Sequence, residues 1–328
     1  MARMDGDHGD EWLAGRLRAL TGGGFPVAGA LVGPGGARTA SVGAAPDADF
    51  EIGSVSKGVT GLLYADALER GEVTADTRLG ALLPLADVPA GAVTLGALAT
   101  HRSGLPRLPA AARPWRRTFA LWRHGANPYG EDLAALVDQA RTVRPGRTRP
   151  RYSNFGFELL GHALAAAAGT SYERLVAGRI GGPLGLDRFY LPAGPAGLLP
   201  GAVAGTTRRG RPREPWTGEA LGPAGGIRAD IGSMARFTAA LLDGTAPGTA
   251  ALDPVVPFGA GTRIGAAWIT LRVRDLTVTM HNGGTGGFRS WLGLDRASGT
   301  GAVVLAGAAV SVDRAGFALL TRDKDRAP

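Results

Sequence analysis

The sequence predicts an α/β fold of the α+β kind: one antiparallel sheet, built from both chain termini and flanked by helices, with a helical domain inserted between its halves. Three observations predict it. Strand-like runs gather near each end, helical periodicity dominates the middle, and no internal repeat subdivides the 328 residues. A chain of this length with 45% hydrophobic residues can bury one large core or two modest ones.

The elements follow in order. EWLAGRLRALT (Glu11 to Thr21) spaces its apolar residues as a helix, and PVAGALVGPGGARTASVG reads as two strands around a Pro-Gly-Gly turn. From Ser54 to Arg70, Val55, Val59, Leu62, Leu63 and Leu68 recur at helical spacing, and Gly71 is a natural stop. Residues 74–222 mix helical patterns with Pro-rich loops. There, FGFELLGHALAAAAGTSYERLVAGRI predicts two helices joined at Gly169, with Thr170 and Glu173 as a capping box. A further helix follows GPAGGI. RIGAAWITLRVR, LTVTMHNG, FRSWLGLD and GTGAVVLAGAAV then read as four strands, before a last helix near Val312 to Thr321. The expected domains are therefore 1–73 with 223–328 as the sheet domain and 74–222 as the helical one.

Composition excludes several functions. The net charge is +8, yet arginines alternate with acids and no basic face interleaved with aromatics appears, so nucleic acid is not an expected partner. Two arginine clusters, Arg141 to Arg151 and Arg208 to Arg213, read as solvated loops or as a rim that steers anions. Cysteine is absent, which removes disulfides, a thiolate nucleophile and cysteine-based metal sites. No run approaches the roughly 18 apolar residues that span a bilayer. The opening MARMDGDHGDEW is acidic where a secretory leader needs an apolar core of about 7 to 15 residues, so a cytoplasmic protein is the expectation. His8, His101, His124 and His162 have no metal-ligand spacing and read as structural or terminal residues, and neither a metal nor a cofactor is expected.

The informative residue is Lys57, one of two lysines among 36 basic residues. Ser54 opens the central helix and Lys57 falls three residues later, on the same face. A lysine in a helix's first turn meets the positive end of the dipole, and burial would disfavour its charge further. A neutral amine beside a hydroxyl can activate a weak oxygen nucleophile, whereas a guanidinium cannot give up its proton. The alternative is a Ser54 that caps the helix above a solvated Lys57. With ten serines and two lysines, roughly 0.06 chance matches to Ser-x-x-Lys are expected.

Two further clusters are weaker alone. In RYSNFGFELLG, Asn154 could cap a helix and Tyr152 could be a packed aromatic. In HNGGTGGF, from His281, the glycines either turn a hairpin or let backbone N–H groups approach a ligand. As a nucleotide loop the segment fails, because it lacks the Gly-Lys-Ser/Thr ending. No Gly-x-Ser-x-Gly elbow occurs, which argues against the α/β-hydrolase type of serine enzyme.

In this order, Ser54-x-x-Lys57, Tyr152-x-Asn154 and His281-x-Gly283 resemble the three motifs of the serine β-lactamase and penicillin-binding-protein superfamily. The tyrosine form of the second motif is similar to the class C branch, which also holds D-aminopeptidases, DD-peptidases and carboxylesterases. LATHRSGLP, GPAGGI and HNGGTGGF add to the likeness, which spans most of the chain. The resemblance implies an α/β sandwich with the active site where the sheet and helical domains meet. It implies Ser54 as nucleophile, Lys57 and Tyr152 as the proton-transfer pair, and backbone N–H groups of Ser54 and Gly284 as the oxyanion hole. Asn154, His281 and Gly283 are the implied substrate-binding positions. Tyr152 can act as the base only if nearby positive charge, which Lys57 could provide, lowers its pKa, and the sequence leaves open which of the two takes the first proton. His281 stands where β-lactamases of this kind usually carry lysine, which argues against efficient β-lactam hydrolysis, and its charge is expected to vary with pH. Gly58 stands where relatives often have threonine.

The expected function is a serine hydrolase that forms an acyl-enzyme on a small ester, amide or peptide-like substrate. One alternative is a transacylase that passes the same acyl group to an amine or alcohol; the least favoured is a non-catalytic binding or sensor module.

Overall fold

The computed structural model describes residues 6–108, 125–127, 131–323 and 326–328. His124 and parts of the predicted helical domain lie outside these. The sheet has nine strands, in the order β1-β3-β2-β12-β11-β10-β9-β8-β7, and every neighbouring pair is antiparallel. Its N-terminal contribution is β1 (Asp7–Gly9), β2 (Val27–Gly33) and β3 (Gly36–Val42). The C-terminal contribution is β7 (Val256–Gly259), β8 (Thr262–Ile264), β9 (Ile269–Val273), β10 (Leu276–Gly284), β11 (Arg289–Asp295) and β12 (Thr300–Ala306). The two contributions join where β2 pairs with β12, Ala28 opposite Leu305 and Ala30 opposite Val303.

Helices cover both faces, so β2 and β12 in the middle of the sheet are buried along nearly their whole length and run apolar instead of alternating with polar residues. On one face, α1 (Glu11–Thr21) and α9 (Asp313–Arg322) bury Leu13, Leu17 and Leu319 against Val27, Leu31, Met280, Trp291 and Val304. On the other, α2 (Val55–Glu69) and α8 (Ile231–Asp243) pack on Ala28, Ala30, Leu292, Val303 and Leu305. Among the described residues, the remaining helices are α3 (Leu95–Ala99), α4 (Leu133–Arg141), α5 (Asn154–Ala167), α6 (Tyr172–Val176) and α7 (Gly222–Gly225). Together with α2 they form one continuous apolar core.

Helix α2 is buried along nearly its whole length, Val55 through Ala67. A helix wrapped on all sides needs small residues where neighbours press closest. A Cβ at Gly58 would sit 2.7 Å from the indole of Trp268, whose Nε1 donates to Gly58 O at 3.2 Å. The indole thus occupies the room that a threonine at position 58 would need.

A small second sheet, β4-β6-β5, was not expected from the sequence. It joins β4 (Phe50–Glu51), β5 (Phe189–Tyr190) and β6 (Arg228–Ala229) around the fully buried Arg228. Arg228 bonds the carboxylates of Asp49 and Glu51 and the carbonyls of Asp49 and Val203. Two details differ from the prediction. The cap of α6 is Ser171, not Thr170, since the Ser171 hydroxyl accepts from Arg174 N at 3.2 Å. RIGAAWITLRVR is two strands, β8 and β9, because the chain turns at Ala267 with φ +69°.

Candidate active site

Ser54 occupies the N-cap of α2 in helical geometry, φ −65° and ψ −7°, and its side chain makes no capping bond. The hydroxyl is thereby left for other partners. Lys57 Nζ lies 3.1 Å from Ser54 Oγ and donates to the carbonyl of Ala224 at 2.5 Å. That carbonyl is held in place by the small sheet and its flanks. Ile52 N donates to Ile227 O at 3.1 Å, and Ile227 N to Ser56 Oγ at 3.2 Å. One turn further along α2, Thr60 Oγ1 lies 2.7 Å from both Pro223 O and the Tyr172 hydroxyl. The GPAGGI turn is thus stitched to the face of α2 that carries the amine.

Lys57 is completely buried. Loss of hydration lowers its pKa to about 7, against the pull of Glu158, which favours the charge, and with a small push from Arg107. At neutral pH a large share of this lysine is free amine. With one N–H committed to Ala224 O, its lone pair is available to the Ser54 hydroxyl.

Tyr152 precedes α5, and its ring centroid is 4.9 Å from Lys57 Nζ and 5.5 Å from the Arg107 guanidinium. Its hydroxyl is hydrogen-bonded to Ser54, yet burial outweighs that bond and Arg107 and raises the pKa to about 12. The net lowering that a tyrosine base would need does not occur, because a buried phenolate loses more hydration than Arg107 restores. Tyr152 is a neutral phenol.

β10 runs beside the start of α2. Met280 faces the α1/α9 side, so by alternation His281 and Gly283 face α2. Thr285 N donates to Phe288 O, which makes that pair hydrogen-bonded; its neighbour Gly284–Arg289 is then a non-bonded pair, and Gly284 N–H points away from β11. A Cβ at Gly53, where φ is +51°, would lie 2.7 Å from Gly284 N, and one at Gly283 would lie 3.0 Å from Ser54 N. Glycine at both positions lets the two backbones close up, with the amides of Ser54 and Gly284 side by side.

These groups meet at a cavity of about 450 Å³ lined by Ser54, Tyr152, Gly283, Gly284, Arg107, Arg289 and Asp313, among others. Asn154, the first residue of α5, and His281 are buried and do not line it. His281 Nδ1 donates to Asn282 O at 2.7 Å. Burial, and then the charge of Lys57, lower its pKa to about 3. The expected variation of its charge near neutral pH therefore does not hold: His281 is neutral, and among the described residues the cations lining the cavity are Arg107 and Arg289. Arg144, Arg147, Arg149, Arg151, Arg208, Arg209 and Arg211 lie in exposed loops, and Arg141, at the end of α4, pairs with Asp87. Arg107, Arg289 and Asp313 carry no local motif, so no sequence signal singled them out, whereas Ala224 lies within GPAGGI, a segment of the resemblance. His101 did have a signal, since its segment belongs to the resemblance.

A serine hydroxyl between a partly neutral amine and a neutral phenol, with the backbone amides of Ser54 and Gly284 close by, is an arrangement chemically able to support acyl transfer. The beta-lactamase family model matches residues 7–322, and the chain belongs to that family of serine hydrolases. Within it, the chain is 32% identical over 152 residues to D-alanyl-D-alanine-carboxypeptidase/endopeptidase AmpH of Escherichia coli (strain K12), covering 45% of this chain and 38% of that protein. It is 29% identical over 224 residues to penicillin-binding protein 4 of Amycolatopsis lactamdurans, covering 64% and 55%. The chain thus matches less than two thirds of the length of either curated relative. Among solved structures, D-alanine carboxypeptidase AmpC from Burkholderia cenocepacia superposes with a TM-score of 0.76 at 22% identity, over 94% of this chain and 95% of that one, a likeness of fold.

Proposed function

We propose that the chain is a serine acyl hydrolase that attacks esters, amides or short D-amino-acid peptides through an acyl-enzyme on Ser54. One observation carries this reading: a serine hydroxyl free of capping duty stands 3.1 Å from a buried amine whose pKa is about 7, at the edge of a cavity. The names of the relatives, D-alanyl-D-alanine carboxypeptidases among them, support D-amino-acid peptides within the substrate class.

In the proposed reaction, Ser54 Oγ attacks the carbonyl carbon while its proton moves to Lys57 Nζ. A phenol with a pKa of about 12 is the poorer base at neutral pH, so the amine takes the first proton. The oxyanion accepts hydrogen bonds from Ser54 N–H and Gly284 N–H, each worth about 3–4 kcal/mol in such sites. The C–O or C–N bond then breaks, and the phenol of Tyr152 hands its proton to the leaving group and regains one from the Lys57 ammonium. Water repeats the cycle on the acyl-enzyme, with Lys57 again the base. A neutral, buried His281 supplies no charge for a β-lactam carboxylate, which supports weak turnover of a cephalosporin.

A panel of p-nitrophenyl esters, D-alanine amides and a chromogenic cephalosporin, assayed with and without added amines, tests the reading. The expected result is a burst of one product per chain followed by turnover to the free acid. Absence of a burst with every ester contradicts the acyl-enzyme; product found only as the amide makes the chain a transacylase.

A further inference from the structure

Outside the groups used above, one residue stands in a conformation that its side chain disfavours. His101 has φ +55°, in the left-handed region that non-glycine residues seldom occupy. Such strain persists where the surroundings over-determine it, often beside a functional group. The bonds of His101 show what surrounds it. Its carbonyl accepts from Arg151 N at 2.9 Å, and its ring Nδ1 accepts from Ser153 N at 3.2 Å. Its ring packs on the Tyr152 ring, with centroids 4.6 Å apart, and on Phe157 at the same distance. His101 therefore holds the amide before Tyr152, the amide after it, and the ring itself. The left-handed turn is what lets one residue present both its carbonyl and its side chain to the same three-residue stretch.

From this three-point contact we infer that His101 is the positioning residue of Tyr152, fixing the phenol against Ser54 for proton delivery to the leaving group. The inference rests on the proton-transfer role proposed for Tyr152. It makes a demand on the imidazole. Nδ1 can accept from Ser153 N–H only while it carries no proton, so the ring must be the neutral Nε2–H form. Burial, and then the charge of Lys57, keeps His101 well below the ordinary histidine pKa and meets that demand. Among the described residues Nε2 has no hydrogen-bond partner, so no competing bond turns the ring. The rest of the loop grips the same segment: Pro106 O accepts from Ser153 Oγ at 2.7 Å, and Arg107 O from Phe155 N at 3.3 Å.

The test compares His101→Gly with His101→Asn. Glycine adopts the left-handed turn freely and keeps the carbonyl bond but loses ring and acceptor. Asparagine tolerates the turn and sets Oδ1 where Nδ1 stood. Each is assayed on p-nitrophenyl butyrate, whose leaving group departs unprotonated, and on ethyl butyrate, whose leaving group needs a proton. For His101→Gly the expected loss of the acylation rate constant, read in single turnovers, is about a hundredfold on the ethyl ester and under about tenfold on the aryl ester, with KM changed less than about threefold. His101→Asn should recover most of the ethyl-ester loss. Equal losses on both esters, a change confined to KM, or asparagine no better than glycine would overturn the inference. A wild-type enzyme that shows no burst defeats the proposed function instead. A readout independent of turnover is the ¹⁵N spectrum of the wild-type imidazoles. The neutral Nε2–H form of His101 is expected at neutral pH, and a proton on Nδ1 overturns the inference whether or not the variants fold.

Discussion

Lys57 makes the sharpest prediction, because its burial ties reactivity and stability to one pH window. With a pKa of about 7, the amine is neutral in about a tenth of molecules at pH 6 and about nine tenths at pH 8. If the free amine takes the serine proton, kcat/KM on an aryl ester should rise about tenfold from pH 6 to 8 and level off above. Stability moves with it. Between pH 7 and the ordinary lysine value of 10.5 the unfolded chain holds a proton that the folded chain lacks, so stability rises with pH across that window. The penalty is fully present below about pH 7, where the difference from 10.5 amounts to roughly 5 kcal/mol at about 1.4 kcal/mol per tenfold change. Lys57→Met removes it but leaves the Ala224 carbonyl unpaired, at about 1–3 kcal/mol. The variant should be inactive yet more stable by a few kcal/mol at pH 6, read as the urea midpoint. A flat rate profile from pH 6 to 8, or a Lys57→Met variant less stable than wild type at pH 6, would refute the reasoning.

The other predictions concern the groups around that amine. Tyr152→Phe should lower the single-turnover acylation rate on an alkyl ester by about a hundredfold or more and spare that on an aryl ester, since only the alkoxide leaving group needs a proton; equal losses on both remove leaving-group protonation by the phenol from the mechanism. Gly53→Ala places a methyl 2.7 Å from Gly284 N at a φ of +51°, so acylation should fall by about 10²-fold or more; a variant within twofold of wild type refutes the paired amides. Gly58→Thr drives a branched side chain into Trp268 and should cost about 1–3 kcal/mol, seen as a lower thermal midpoint, whereas an unchanged midpoint shows that the indole moves aside.

The sheet was legible because β2, β10, β11 and β12 carry unbroken apolar or β-branched runs between turn residues, a local pattern. Helix α2 was legible for the same reason. The small sheet was not, since strands of two residues leave no periodicity, and their pairing depends on Arg228 meeting acids some 180 positions away. The nucleophile and the amine share one helical turn and could be seen in the sequence. The titration of Tyr152 and His281 could not, because it follows from burial, which composition does not reveal. His101 was read as a turn residue, and it is one; that the turn clasps Tyr152 depends on a contact between segments 50 residues apart, invisible until the chain folds.

Intact-mass and peptide mass spectrometry after treatment with a fluorophosphonate tests the central claim most directly. The predicted result is one adduct per chain, on Ser54, formed faster at pH 8 than at pH 6 and absent from Ser54→Ala. An adduct that persists in Ser54→Ala, or none at all on folded wild-type protein, would contradict it.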